Sequence, residues 1–96
     1  MFAVLTEVNV PRFDEASLQE AREGIEAVAV PQVRQAGGTA AYWLAPHHNR
    51  GVSVAIFETE EQAREAASHV KIGEQAGRTP DVTFTAVEVL EVLAHL

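Results

Sequence analysis

Hydrophobic and polar residues change their spacing wherever the chain passes between strand and helix, and the changes mark the elements. From Phe2 to Val10 the β-formers Val4, Leu5, Val8 and Val10 predict a strand, and Pro11 ends ladder pairing just beyond them. Further on, Leu18, Ala21, Ile25, Val28, Ala29, Val33 and Ala36 recur at intervals of three and four, with Glu20, Arg22, Glu23, Glu26 and Arg34 between them. That spacing predicts an amphipathic helix. Asp14 is placed to cap it, and Phe13 and Leu18 to staple its entry. Pro31 falls inside the run; because proline lacks the amide donor and crowds the preceding turn, a kink or break is expected near Val28 to Val30. Gly37-Gly38 then ends the helical region.

Thr39 to Ala45 and Val52 to Glu58 read as an antiparallel pair joined by a hairpin loop, His47-His48-Asn49-Arg50-Gly51. Thr59-Glu60-Glu61-Gln62 is a capping box, and Ala63, Ala66, Ala67 and Val70 form the stripe of a second helix that frays towards Gly73 and ends by Gly77. A turn at Thr79-Pro80-Asp81 leads into a last strand, Val82 to Leu93. The order β-α-β-β-α-β predicts an α+β, ferredoxin-like domain over residues 1–96, with two helices on one face of a four-stranded antiparallel sheet.

Two helices can cover only one face of that sheet, yet both alternating sets are largely apolar in the later strands. In the third strand Val52, Val54 and Ile56 oppose Ser53, Ala55 and Phe57; in the last, Phe84, Leu90 and Val92 oppose Val87, Val89 and Leu93. The uncovered set, joined by Trp43 and Leu5, makes a patch larger than a soluble monomer carries, so a homodimer packed sheet to sheet is expected, with Trp43, Leu5, Val54 and Ile56 at its interface. Gly38 to Pro46 is the segment expected at the sheet edge.

Composition narrows the partners. Fourteen acidic against seven basic residues give a net charge of −7, which repels nucleic acid and anionic membranes. With no cysteine there is neither disulfide nor thiolate metal site, and His47-His48 lacks a third ligand at suitable spacing, so no metal is expected. The absence of a signal-like start or a long apolar span makes the cytoplasm the expected location. No phosphate loop, nucleophile elbow or Ser/His/Asp set occurs, and no cofactor is implied.

The element order, the passage Val33-Arg34-Gln35-Ala36-Gly37-Gly38 and the run Ile56-Phe57-Glu58-Thr59-Glu60-Glu61-Gln62-Ala63 resemble the dimeric α/β-barrel superfamily, and within it the small ABM-type domains named for antibiotic-biosynthesis monooxygenases. The resemblance implies a dimeric α/β barrel with a cleft between helices and sheet, and cofactor-independent oxygenation of an aromatic or quinone-like compound. The alternative is a non-catalytic dimer that binds a small ligand or serves a structural role. Haem-degrading members carry an Asn, a Trp and a His at positions that fall on Thr6, Ala66 and about Gln75 here; all three differ. If Thr6 faces the helices, alternation places Phe2, Val4 and Val8 with it, and alignment through the resemblance adds Tyr42, Leu44, Ser53, Ala55 and Phe57. Thr6, Ser53, Phe57 and Ala66 are then the expected substrate-binding residues, with Tyr42 and His69 as the catalytic pair, His69 as a base towards a phenol. Glu7 falls on the opposite face, as a polar site inside the barrel or as a partner for Arg50.

Overall fold

The computed structural model describes residues 1–77 and 81–96, so Thr79 and Pro80 of the expected turn lie outside the described residues. Four strands, β1 (Phe2–Asn9), β2 (Gly38–Trp43), β3 (Arg50–Phe57) and β4 (Thr83–Glu91), form one antiparallel sheet in the order β2-β3-β1-β4. This is the α+β arrangement that the element order predicts, and it is compatible with a ferredoxin-like fold. Among the described residues, no helix is long and apolar enough to cross a membrane.

The first helical region begins where the Ser17 amide donates to Asp14 Oδ1 at 2.8 Å. It runs as α1 (Glu15–Gly24), widens into a π-helical turn (Ile25–Ala29) and closes as α2 (Val30–Gln35). The widening sits where the proline rule places the disturbance. Pro31 cannot donate to the turn before it, and the Val30 amide reaches back five residues to the Ile25 carbonyl. Gly37, at φ +96°, then turns the chain into β2.

At the start of α3 (Glu60–Ser68) the capping box forms in full: the Gln62 amide donates to Thr59 Oγ1 at 3.1 Å, and the Thr59 amide donates to Gln62 Oε1 at 3.3 Å. The helix stops at Ser68, short of the expected Gly73 to Gly77, and His69 caps it.

The β2–β3 hairpin is tighter than the five-residue loop expected from composition. His47 and Arg50 exchange both backbone hydrogen bonds, at 2.9 and 3.0 Å, around His48 and Asn49, whose φ angles are +52° and +63°. Two central residues with positive φ make a type I′ turn, whose twist suits paired strands. A regular ladder from this closure would oppose Tyr42 to Ala55 and Leu44 to Ser53. One extra residue on the β2 side, around Pro46, shifts the pairing instead to Tyr42 with Val54 and Trp43 with Ser53. Tyr42 and Leu44 therefore turn to the uncovered face, and Trp43 turns under the helices. Both placements reverse the alternation argument, and they remove Trp43 from the expected interface.

A second irregularity, between Glu7 and Val8 of β1 and across Thr85 of β4, brings Phe84 opposite Val8 and so onto the helix side with Val87 and Val89. The expected grouping of Phe84 with Leu90 fails for that reason.

Little is fully buried. Val4, Val10, Phe57 and Ala63 are the buried apolar residues among those described, and α1 buries none. The chain exposes 6607 Å², against roughly 5,400 Å² for a lone folded chain of this mass.

Candidate functional site

Strand parity fixes which side chains look under the helices. Thr6 pairs with Ser53 across β1 and β3, Val4 with Ala55 and Phe2 with Phe57, so these six share one face. Val4 and Phe57 meet Ala63 of α3 as the core, and Ala66 and Ala67 pack beside them. Alanines bring α3 close to the sheet at this end. At the other end α1 and the π-helical turn stand away from it, and a cleft of about 610 Å³ opens between them.

The sheet side of the cleft presents Thr6, Val8, Ser53, Trp43 and Phe84; Leu18, Ala21, Ile25, Val28 and Ala29 form the helical side. Exposed Arg12, Glu20, Arg22 and Glu26 stand at its mouth. A smaller space of about 150 Å³ continues beneath α2 and α3, sharing Thr6, Gln32, Trp43, Ser53 and Phe84 and adding Val33 and Ala66. Among the described residues, neither the Thr6 nor the Ser53 hydroxyl has a hydrogen-bond partner in the protein, and no buried side-chain polar atom is left unsatisfied. Both hydroxyls are therefore open to whatever enters the cleft.

The sequence-predicted residues divide sharply. Thr6 and Ser53 lie side by side in the cleft, and Ala66 lines its smaller extension. Phe57 is fully buried; it supports the site as core and borders only the smaller space. Tyr42, 65 % exposed, is on the far face of the sheet. His69 projects from the end of α3 into solvent, with Nε2 3.3 Å from Glu65 Oε1. The two residues expected to act as a catalytic pair are thus apart from each other and from the cleft. Leu5, Val54 and Ile56 do occupy the uncovered face, where Leu5 lies opposite Val54. Glu7 is on that face too, and it pairs with Arg50, whose Nε donates to Glu7 Oε1 at 2.9 Å. His47 and His48 are exposed in the hairpin turn.

Trp43 and Phe84 are the wall residues that alternation missed. The available signal was Pro46, a residue that cannot donate to a ladder and so favours an irregularity just before the turn. The sheet side of the cleft carries no titratable group among the described residues. The Asp14 carboxyl is held below its ordinary value, first by the Ser17 backbone amide and then by the Ser17 hydroxyl. It belongs to the α1 cap rather than to the cleft.

Compared with family models, with curated proteins and with solved structures, the chain matches none.

Proposed function

We propose that this chain is an ABM-type member of the dimeric α/β-barrel superfamily, whose helix–sheet cleft binds a flat, largely apolar small molecule. The observation that carries the reading is the pair of unpartnered hydroxyls, Thr6 and Ser53, set in an apolar cleft beside the Trp43 indole. A volume near 610 Å³ accommodates a bicyclic or tricyclic ring system, within the range of ordinary ligand sites. Packing on Trp43 and Phe84 supplies affinity, and the hydroxyls orient oxygen substituents on one edge of the ring.

In the oxygenase form of this reading the electron-rich ligand is itself the reductant. One atom of dioxygen replaces the two hydrogens of a ring methylene as a carbonyl, and the other leaves with them as water, so no cofactor is consumed. The protein's part is to desolvate and position the ring. Tyr42 and His69, both outside the cleft, have no role in it.

A second copy covering the bare sheet face completes the architecture. The excess exposed area, roughly 1,200 Å² over a lone chain of this mass, is more than one partner gives up in a standard interface, about 800 Å², and the open cleft accounts for part of it. Tyr42 and Leu44 take the place at that interface first expected of Trp43, alongside Leu5, Val54 and Ile56.

Trp43 is the chain's single tryptophan, so its fluorescence reports directly on the cleft. Titration with dihydroxynaphthalene- and anthrone-like compounds is expected to quench it saturably, at one equivalent per chain. Oxygen uptake on the same compounds identifies turnover, while quenching without uptake identifies a binding protein. Neither quenching nor a thermal shift with any member of the series overturns the reading.

A further inference from the structure

The uncovered sheet face is polarised along its strands. On the two central strands Ala3, Leu5, Val54 and Ile56 fill one end, and Glu7, Arg50 and Asn9, with Val52 beside Glu7, fill the other. The Glu7 side chain, flanked by its cross-strand neighbours Val52 and Ala86 and held by Arg50, is 26 % exposed, and the Arg50 side chain remains 60 % exposed. In the isolated chain such a surface pair is worth little, whereas between two sheets its surroundings decide whether it is tolerated.

For two sheets stacked about a two-fold axis lying between them, three orientations are open. An axis across the strands sets each ion pair against Ala3 and Ile56 of the other copy, stripping water from two charges with no compensating contact. An oblique axis, as in orthogonally packed sheets, sets it against Tyr42 and Leu44 or against the Glu88 carboxylate. An axis along the strands matches each end with itself. On the two central strands apolar residues then meet apolar residues, Glu88 stays at the sheet edge on β4, and four alternating charges close into a ring in which every carboxylate gains a second guanidinium.

Resting on the dimer reading above, we infer that the partner of this face is a second copy oriented by the Glu7–Arg50 pair, with the two-fold axis along the strands. The cleft lies at the same end of the sheet as Arg50, since it is lined by Val8, Gly51 and Ser53. Both clefts therefore lie towards the same end of the assembly, on its two outer sides.

Charge complementation tests this. By sedimentation velocity, the E7K and R50E variants are each expected at the mass of one chain at concentrations where the wild type is a dimer. An equimolar mixture is expected at the mass of two, because the doubly positive end of one variant meets the doubly negative end of the other. Circular dichroism checks the fold; where a reversed charge prevents folding, E7Q and R50Q, which leave single charges of opposite sign, are mixed instead. A mixture that stays at one chain overturns the orientation, as do single variants that dimerise with unchanged affinity. A wild type that is itself monomeric overturns the dimer reading beneath it, a result distinct from either.

Discussion

Replacing Thr6 by Val and Ser53 by Ala separates the two roles a hydroxyl under a helix can play. If these groups were tied to backbone, each loss would cost about 1 kcal/mol of stability, or roughly 4–8 °C in melting temperature for a domain of this size. In the structure neither has a protein partner among the described residues, and the Val methyl keeps the shape of Thr6 on a strand that favours β-branched side chains. Melting temperatures within about 2 °C of wild type are therefore expected. Binding should respond where stability does not. A hydrogen bond worth about 0.5–1.5 kcal/mol corresponds to a roughly 2- to 12-fold loss of affinity for each variant. Because Thr6 and Ser53 are cross-strand neighbours facing one ligand edge, the double variant should fall short of the product of the two. Trp43 fluorescence titration with 1,4-dihydroxynaphthalene, run beside differential scanning calorimetry, reads both quantities. Unchanged affinity together with a melting temperature several degrees lower would refute the reasoning, since it would make the hydroxyls structural and the cleft incidental.

Phe57→Ala removes the one large side chain that is fully buried among the described residues, and a cost of about 3–5 kcal/mol in urea unfolding is expected, enough to populate unfolded chain in a core this small. Gly38→Ala sets a new Cβ 2.9 Å from the Val33 carbonyl oxygen and against Val33 Cγ1; backbone cannot yield as a side-chain tip does, so a loss of about 1–3 kcal/mol is expected by the same assay. Asp14 ionises more readily in the folded chain than its ordinary value of 3.8, so its contribution is fully present above that value and is lost as pH falls through the lowered folded value. Helicity of α1 by NMR should accordingly decline in acid below the ordinary carboxylate range, and Asp14→Asn, which still caps but does not titrate, should flatten that dependence.

Much of the fold was legible because its signals are local. Asp14 and Thr59 cap the helices they precede, Pro31 disturbs the first helix within a few residues of its own position, and Val-rich runs mark strands. The candidate site was half legible. Thr6 and Ser53 were found because β1 and β3 pair without interruption from Phe2 to Asn9. Trp43, Tyr42 and Phe84 were misplaced because each lies beyond a one-residue irregularity, at Pro46 or Thr85, and a side-chain period of two turns one extra residue into the opposite face. His69 shows a different limit. Its spacing from Ala63 and Ala66 placed it beside the apolar stripe, but α3 stops at Ser68, and the last residue of a helix is free to face water.

The extra residue near Pro46 also changes what variation can do to this chain. Deleting it would exchange the indole and the phenol between the two sides of the sheet, giving the pocket a tyrosine wall and the bare surface a tryptophan, with no aromatic residue itself altered. Ligand preference and self-association would then shift together, through a length change at a hairpin tip rather than a substitution at either location.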